Sequence, residues 1–464
     1  MRVGLAPHLL CVDVGSTFTK AAVVDTATGA LVASAQHRTT IDTDVLDGIE
    51  ACRAVLATDA PALVCSSAGG GLRIAVVGNE ELVTAEAGRR VALSSGGKVV
   101  AVLAGGLDAE RYASLEAAAP DVILLVGGTD GGNAEQLLHD AGYLAARGWP
   151  RPVVVAGDAE AAGAVALTLE AGGVPFRLTD NVVPRIGVFA PDEARRAMRA
   201  VFLEHVIGGK ELSEGPAFAS MVLGATPDVV LLGVEVLAGA HGSTVPGAGV
   251  LVVDVGGATT DVHSVVVPDP EEQSLARDVI AASAVTRTVE GDLGMRWSAV
   301  STADLVGDAD LSAAARRLAE DPGFLATSAE ERAIDRRLAE IAVRTAVRRH
   351  AGRSRVVLSP DGRVVERSGK NVRAVDLVVG SGGVLRGADA DTVAAVLGGA
   401  IGVERDGWQV PESPRVVVDH RSVLAVAGLL VLHGERTGLV DEASAAARAL
   451  LCTSVIGTSE GSTA

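Results

Sequence analysis

"LVVDVGGATTDVHSVVV", residues 251–267, is an apolar run, an aspartate, a turn of small and hydroxyl residues, and a second apolar run. The same order of residue types stands far upstream as "LLCVDVGSTFTKAAVVD", residues 9–25. Each stretch reads as two strands joined by a tight turn. A turn of Gly, Ser and Thr points several backbone N–H groups one way, and its hydroxyls add donors, so it cradles a phosphate without much positive charge. The aspartate before it, Asp13 or Asp254, cannot meet a phosphate directly, because like charges repel. It can hold a hydrated Mg²⁺, which prefers oxygen ligands and keeps several waters. One such hairpin says little, since Gly-rich β-turns are common. Two of them, each with the aspartate before Val-Gly, imply related domains facing each other across a cleft and clamping a polyphosphate with its metal.

A third stretch fits the same cleft. "VVGSGGVLR", residues 378–386, ends an apolar strand in Gly-Ser-Gly-Gly and starts a helix. Those glycines permit close backbone approach, and a planar base can lie against them.

Bulk properties narrow the partners. The chain has 464 residues, 48% of them hydrophobic, and a formal net charge of −18. That charge argues against nucleic acid or an anionic membrane as a partner. Eleven aromatic residues leave little for base stacking. Only four residues are Lys, which singles out Lys20 inside the first hairpin. Cys11, Cys52, Cys65 and Cys452 are scattered without a C-x-x-C pair, so neither a disulfide framework nor a zinc or iron–sulfur site is expected. The longest apolar candidate, "SVLAVAGLLVLHG" (422–434), reads as a buried helix rather than a membrane span. The first residues reach Asp13 too soon for a secretion signal, and a cytoplasmic location is expected. Walker A, H-E-x-x-H and G-x-S-x-G motifs are absent from the sequence.

Between the hairpins, residues 61–78 read as two strands around a glycine turn, and residues 84–97 as a helix stopping at Gly96-Gly97. From Lys98 continuous apolar strands alternate with helices, the signature of a parallel, doubly wound sheet. Residues 98–180 are therefore expected to form a Rossmann- or flavodoxin-like α/β insertion. In its "GGTDGGN" turn (127–133), Asp130 and Asn133 are candidate helix caps. The expected division is 1–97 and 181–248 for the interrupted first half, 249–452 for the second half, and 453–464 for a frayed tail.

Two phosphate hairpins followed by a glycine turn resemble the actin, heat-shock-70 and sugar-kinase superfamily. Asp13-Val14-Gly15-Ser16-Thr17 with Lys20 resembles its first phosphate motif. Asp254, Gly256, Gly257, Thr259, Thr260 and Asp261 resemble its second, and Gly380-Ser381-Gly382-Gly383 its adenosine motif. The resemblance implies an α/β fold of two ribonuclease-H-like halves around a nucleotide cleft, with ATP and Mg²⁺ as cofactors. Asp13 and Asp254 become the expected catalytic and metal-holding pair. Relatives often place another nucleotide contact where "RTVEGDLGMR" (287–296) stands, which draws in Glu290 and Asp292. Glu86, Arg89 and Arg90 are weaker candidates of the same kind.

Over its full length the chain resembles the MutL family associated with adenosylcobalamin-dependent glutamate mutase, also called GlmL. That resemblance implies an ATPase accessory protein, a reactivating chaperone whose partners are mutase subunits; self-association into a homo-oligomer stays open. A small-molecule kinase or a filament-forming actin-like ATPase would share the cleft. Dehydratase activators of this fold need paired cysteines that the chain lacks.

Overall fold

The computed structural model describes residues 4–68, 71–81, 83–207, 212–213, 216–269, 283–359, 362–404 and 406–457. The first hairpin is β1 (His8–Val14) and β2 (Phe18–Asp25), followed by β3 (Leu31–Arg38), α1 (Val45–Leu56) and β4 (Ala62–Ser66). β1 pairs antiparallel with β2 and parallel with β4. The chain then leaves this sheet for β5 (Arg73–Gly78), α2 (Thr84–Ser94), β6 (Lys98–Ala104), α3 (Ala109–Ala118) and β7 (Val122–Leu125). It continues through α4 (Glu135–Ala146), β8 (Val153–Val155), α5 (Ala162–Ala171) and β9 (Phe176–Leu178). After α6 (Asp192–Val201), a π-helical turn and α7 (Ala217–Met221), the short β10 (Val222–Ala225) rejoins the first sheet beside β4, and α8 (Thr226–His241) follows.

The second half begins with the hairpin β11 (Gly249–Val255) and β12 (Thr260–Val266), then β13 (Val285–Glu290). Three helices follow: α9 (Ala299–Asp304), α10 (Ala309–Glu320) and α11 (Ala329–Ala351). A β14–β15 hairpin (Arg353–Ser359, Gly362–Ser368) leads to β16 (Leu377–Gly382), α12 (Gly383–Arg386), α13 (Ala390–Gly398) and β17 (Arg415–Val418). The chain closes with α14 (Val423–Thr437) and α15 (Val440–Leu451). The sheets run β10-β4-β1-β2-β3 and β13-β12-β11-β16-β17. Numbered within each half, both have the order third-second-first-fourth-fifth, so the duplication extends from the hairpin to the whole sheet.

Expectation and structure differ at three places. The insertion's sheet runs β6-β5-β7-β8-β9, all parallel, and its second strand in space is β5. The inserted unit therefore takes in residues 73–97 that were expected in the first half. The cause is that β4 and β5 do not pair with each other; each joins a different sheet. Within the stretch 181–248 the chain forms β10, a strand not expected from the sequence because it is too short to carry an alternation signal, and α8 starts directly after it with Pro227 in its first turn. Of the expected frayed tail, residues up to Ile456 form a π-helical turn with Val455 buried, while 458–464 lie outside the described residues.

Strand alternation decides where the cores lie. Leu9 and Cys11 of β1 and Val250 and Val252 of β11 point into one shared apolar core, together with α8 and α14. Leu10 and Val12 point to the outer core of the first half, and Leu251 and Val253 to that of the second. The helices between the halves cross where glycine removes the obstacle. A Cβ at Gly233 would lie 2.0 Å from the Leu424 carbonyl oxygen, and one at Gly428 would lie 1.9 Å from that of Val229. Gly428→Ala should therefore destabilise the protein by about 1–3 kcal/mol through overpacking. Gly398→Ala, whose added methyl meets nothing within 4 Å, should be neutral. Urea midpoints of the two variants check this, and equal losses would contradict the close-approach argument.

Candidate functional site

The two hairpin turns share one geometry. Gly15 N–H donates to the Phe18 carbonyl at 3.1 Å, and Gly256 N–H to that of Thr259 at 2.9 Å. A Cβ at Gly15 would fall 2.8 Å from the Phe18 oxygen, and one at Gly256 2.9 Å from the Thr259 oxygen. A side chain at either position would break the turn. The amides of Ser16, Thr17, Gly257 and Ala258 donate to no protein acceptor among the described residues. Each turn is braced from behind. Thr39 donates its hydroxyl to the Gly15 carbonyl at 2.7 Å. Met295 and Arg296 donate their amides to the Gly256 and Gly257 carbonyls at 3.0 and 2.8 Å. Gly294 is obligatory there, because its Cβ would sit 2.7 Å from the Gly257 oxygen. Thr19 and Thr260, at matching positions, are fully buried. The tips meet across the cleft: a Cβ at Gly257 would lie 3.7 Å from Thr17 Oγ1.

Asp13 and Asp254 end the inward-facing rows of β1 and β11, directly beyond Cys11 and Val252. Asp13 accepts the Thr226 hydroxyl at 2.7 Å and a longer contact from the Cys65 thiol at 3.7 Å. Lys20 Nζ stands 3.9 Å from its other oxygen. In the register, Lys20 faces Asp13 just as Asp261 faces Asp254, so the pseudo-equivalent position carries a cation in one half and a carboxylate in the other. Burial pushes the Asp254 carboxyl above its ordinary range; Lys20 and a hydrogen bond from Ser381 pull it down, while Asp261 and Asp13 add to the rise. Asp419, at the end of β17, is also pushed up by burial against the amides of Val423 and Leu424, which it accepts at 3.0 and 3.2 Å. Lys20 thus serves several carboxylates converging from both halves.

β16 brings Ser381 beside Asp254 and Gly382 beside Val255. Gly382 has φ +109°, and a Cβ there would fall 2.2 Å from the Val255 oxygen, so this glycine serves sheet pairing. Gly380 makes room for Leu385 and Leu397, whereas Gly383 has open space on its side-chain face. A cavity of about 330 Å³ lies between the halves, lined among others by Asp13, Lys20, Gln36, Arg386, His420 and Ser422. Arg386 spans it, donating to Gln36 Oε1 at 2.9 Å.

Other candidates have different work. Arg349 holds both Glu290 and Asp292, the latter at 2.8 Å, and so ties the 287–296 loop to α11. Glu86 is paired with Arg89 and Arg90 along α2. Asn133 is not the cap of α4, whose N-cap is Ala134; it accepts the Glu135 amide at 2.9 Å from one residue further out, while Asp130 accepts from Ala159 N and Asn181 Nδ2 and locks its own loop. Thr226 and Asp419 were not singled out in the sequence. Both directly follow the fifth strand of their half, a signal that only the duplicated topology exposes. Among the described residues no group of three or more His, Cys, Asp or Glu side chains is placed to hold a metal, and no helix is long and apolar enough to cross a membrane. A hydrated Mg²⁺ needs only one or two carboxylates, and the unclaimed amides, Lys20, Asp13 and Asp254 fit a phosphate-bound ion of that kind.

A family model described as MutL protein matches residues 9–439. The chain belongs to the MutL family. It is 32% identical over 441 residues to Protein MutL of Clostridium tetanomorphum, covering 91% of this chain and 95% of that one. Among solved structures it is similar to a glycerol dehydratase reactivase (13% identity, TM-score 0.35, 93% of this chain and 100% of the other). A xylulose kinase from Lactobacillus acidophilus gives 11% identity and a TM-score of 0.34, over 97% of this chain and 92% of that one. Likeness at that level carries no correspondence between individual residues.

The raised pKa of Asp254 has a measurable consequence. Above its folded pKa the buried carboxylate is charged and costs stability; the cost fades as pH falls through that value toward the unfolded one. Asp254→Asn should therefore raise the melting temperature at pH 7 by about 1–3 °C, and the gain should shrink toward pH 4. A variant less stable than the parent at pH 7 would contradict the assignment.

Proposed function

We propose that the protein binds Mg·ATP between the two hairpins and hydrolyses it as a reactivating accessory protein for an adenosylcobalamin-dependent mutase such as glutamate mutase. The observation that carries the reading is the facing pair of turns, each offering unclaimed amides next to a carboxylate that terminates a buried strand row. The amides of Ser16, Thr17, Gly257 and Ala258 would bind phosphate oxygens, with Lys20 neutralising part of their charge. Asp13 and Asp254 would orient water molecules on Mg²⁺, an ion that supplies charge neutralisation to the phosphates. Thr226 fixes one oxygen of Asp13, so that its other oxygen faces Lys20. Gly383, open on its side-chain face, would accept the adenosine.

Membership of the MutL family supports the accessory role, since the sequence resembles the branch associated with glutamate mutase. Opening and closing would turn on the α8–α14 crossing, the region where both halves share a core, and such a motion would loosen a mutase bound to them. The cavity beside Lys20 favours one alternative, a small-molecule kinase with its acceptor there. An actin-like filament former would differ from both by ATP-dependent polymerisation.

Phosphate release separates these readings. Slow turnover that speeds up on adding the mutase is expected, and Asp13→Ala and Asp254→Ala should each lower it by about 100-fold or more with the fold retained by circular dichroism. Turnover that depends on a small-molecule acceptor and ignores the mutase would favour the kinase. Normal hydrolysis in both variants would contradict the cleft assignment.

A further inference from the structure

Arg287 lies on β13, beside the second hairpin, and its side chain is only 2% exposed. Nη2 donates to Asp261 Oδ1 at 2.7 Å, and the other Asp261 oxygen accepts the Thr259 hydroxyl at 3.0 Å. Nη1 donates at 3.1 Å to the carbonyl of Leu93, in the last turn of α2. Nε is buried without a hydrogen-bond partner among the described residues. One guanidinium therefore joins the phosphate turn of the second half to the end of a helix that belongs to the inserted unit. The carbonyls of a last turn are left without helical partners and carry partial negative charge. α2 has no basic residue of its own there, so the cation comes from the opposite half.

The same helix end also reaches the first hairpin. The Leu93 carbonyl takes the Gly96 amide at 3.3 Å. Gly96, at φ +81°, abuts the start of α8, where an added Cβ would lie 3.0 Å from Asp228 N. Two residues before Asp228, Thr226 holds Asp13. Asp228 is itself fully buried and locked by Arg199 at 2.6 Å. At its other end α2 is packed without slack on the insertion's sheet. A Cβ at Gly88 would fall 2.6 Å from Val76 Cγ1, and one at Gly78 2.7 Å from Ala85 N. Residues 93–96 therefore touch the strut behind one jaw and the helix start behind the other.

We propose that Arg287 is a positioning residue that relays occupancy of the second phosphate hairpin to α2, so that the inserted unit changes with the nucleotide state. The relay rests on the nucleotide reading given above. Arginine suits it because its planar fork serves two acceptors at once, whereas lysine carries the same charge as a single compact point and serves one end only.

Hydrogen exchange on the full chain, with and without Mg·ATP, tests it. In the wild-type protein nucleotide should slow exchange both at residues 254–261 and at 84–96, the latter by about fivefold or more, the low end of ordinary coupling between sites. In Arg287→Lys, and in Arg287→Gln where it folds, protection of 254–261 should remain while that of 84–96 is lost. Protection of 84–96 that persists in Arg287→Lys would overturn the relay, and so would loss at both stretches together, which would make Arg287 part of the binding site itself. No protection at either stretch in the wild-type protein would overturn the nucleotide reading, and the relay with it.

Discussion

Successive side chains on a strand point to opposite faces, and this period ties the site to the core. Leu9 and Cys11 are buried in the core shared by the halves, so Asp13 must leave β1 on that same face. Val250 and Val252 place Asp254 in the same way on β11. A slip of one residue in either strand would bury an aspartate in an outer core and turn the shared core to the wrong side. The register that stabilises the fold is thus the register that brings both carboxylates to the mouth of the cleft.

The cleft is electrostatically costly. Burial raises the pKa of both Asp254 and Asp419, and Lys20 is the cation that both of them feel. Removing charged groups from water is tolerable only where partners are well placed, and here Lys20, Ser381 and the amides opening α14 meet that need incompletely. Such residual tension is common where function, rather than stability, holds the residues in place. The pseudo-symmetric exchange of Lys20 for Asp261 fits this picture. Asp261 is neutralised by Arg287, and that arginine is anchored on the inserted unit.

Much of this was legible in the sequence because it is local. An aspartate before Val-Gly, a turn of small residues and alternating apolar runs define each hairpin within seventeen residues. Strand–helix alternation announced the inserted sheet, although not its first strand. β5 follows β4 so closely that the two read as one hairpin, and only pairing with distant β6 and β7 assigns it. β10 escaped notice because four residues carry no periodicity. Thr226, Asp419 and Arg287 were invisible for a related reason. Each matters through a contact made by the fold, across 213 residues for the bond from Thr226 to Asp13 and 194 for that from Arg287 to Leu93.

The central claim is that two matched turns hold one metal-bound polyphosphate. Calorimetric titration of ATP into the purified protein, with Mg²⁺ and again with the ion chelated, tests it most directly. The account predicts one site per chain whose affinity falls sharply when Mg²⁺ is removed, because Asp13 and Asp254 then face the phosphates as bare charges. Absence of binding, or binding indifferent to Mg²⁺, would contradict it.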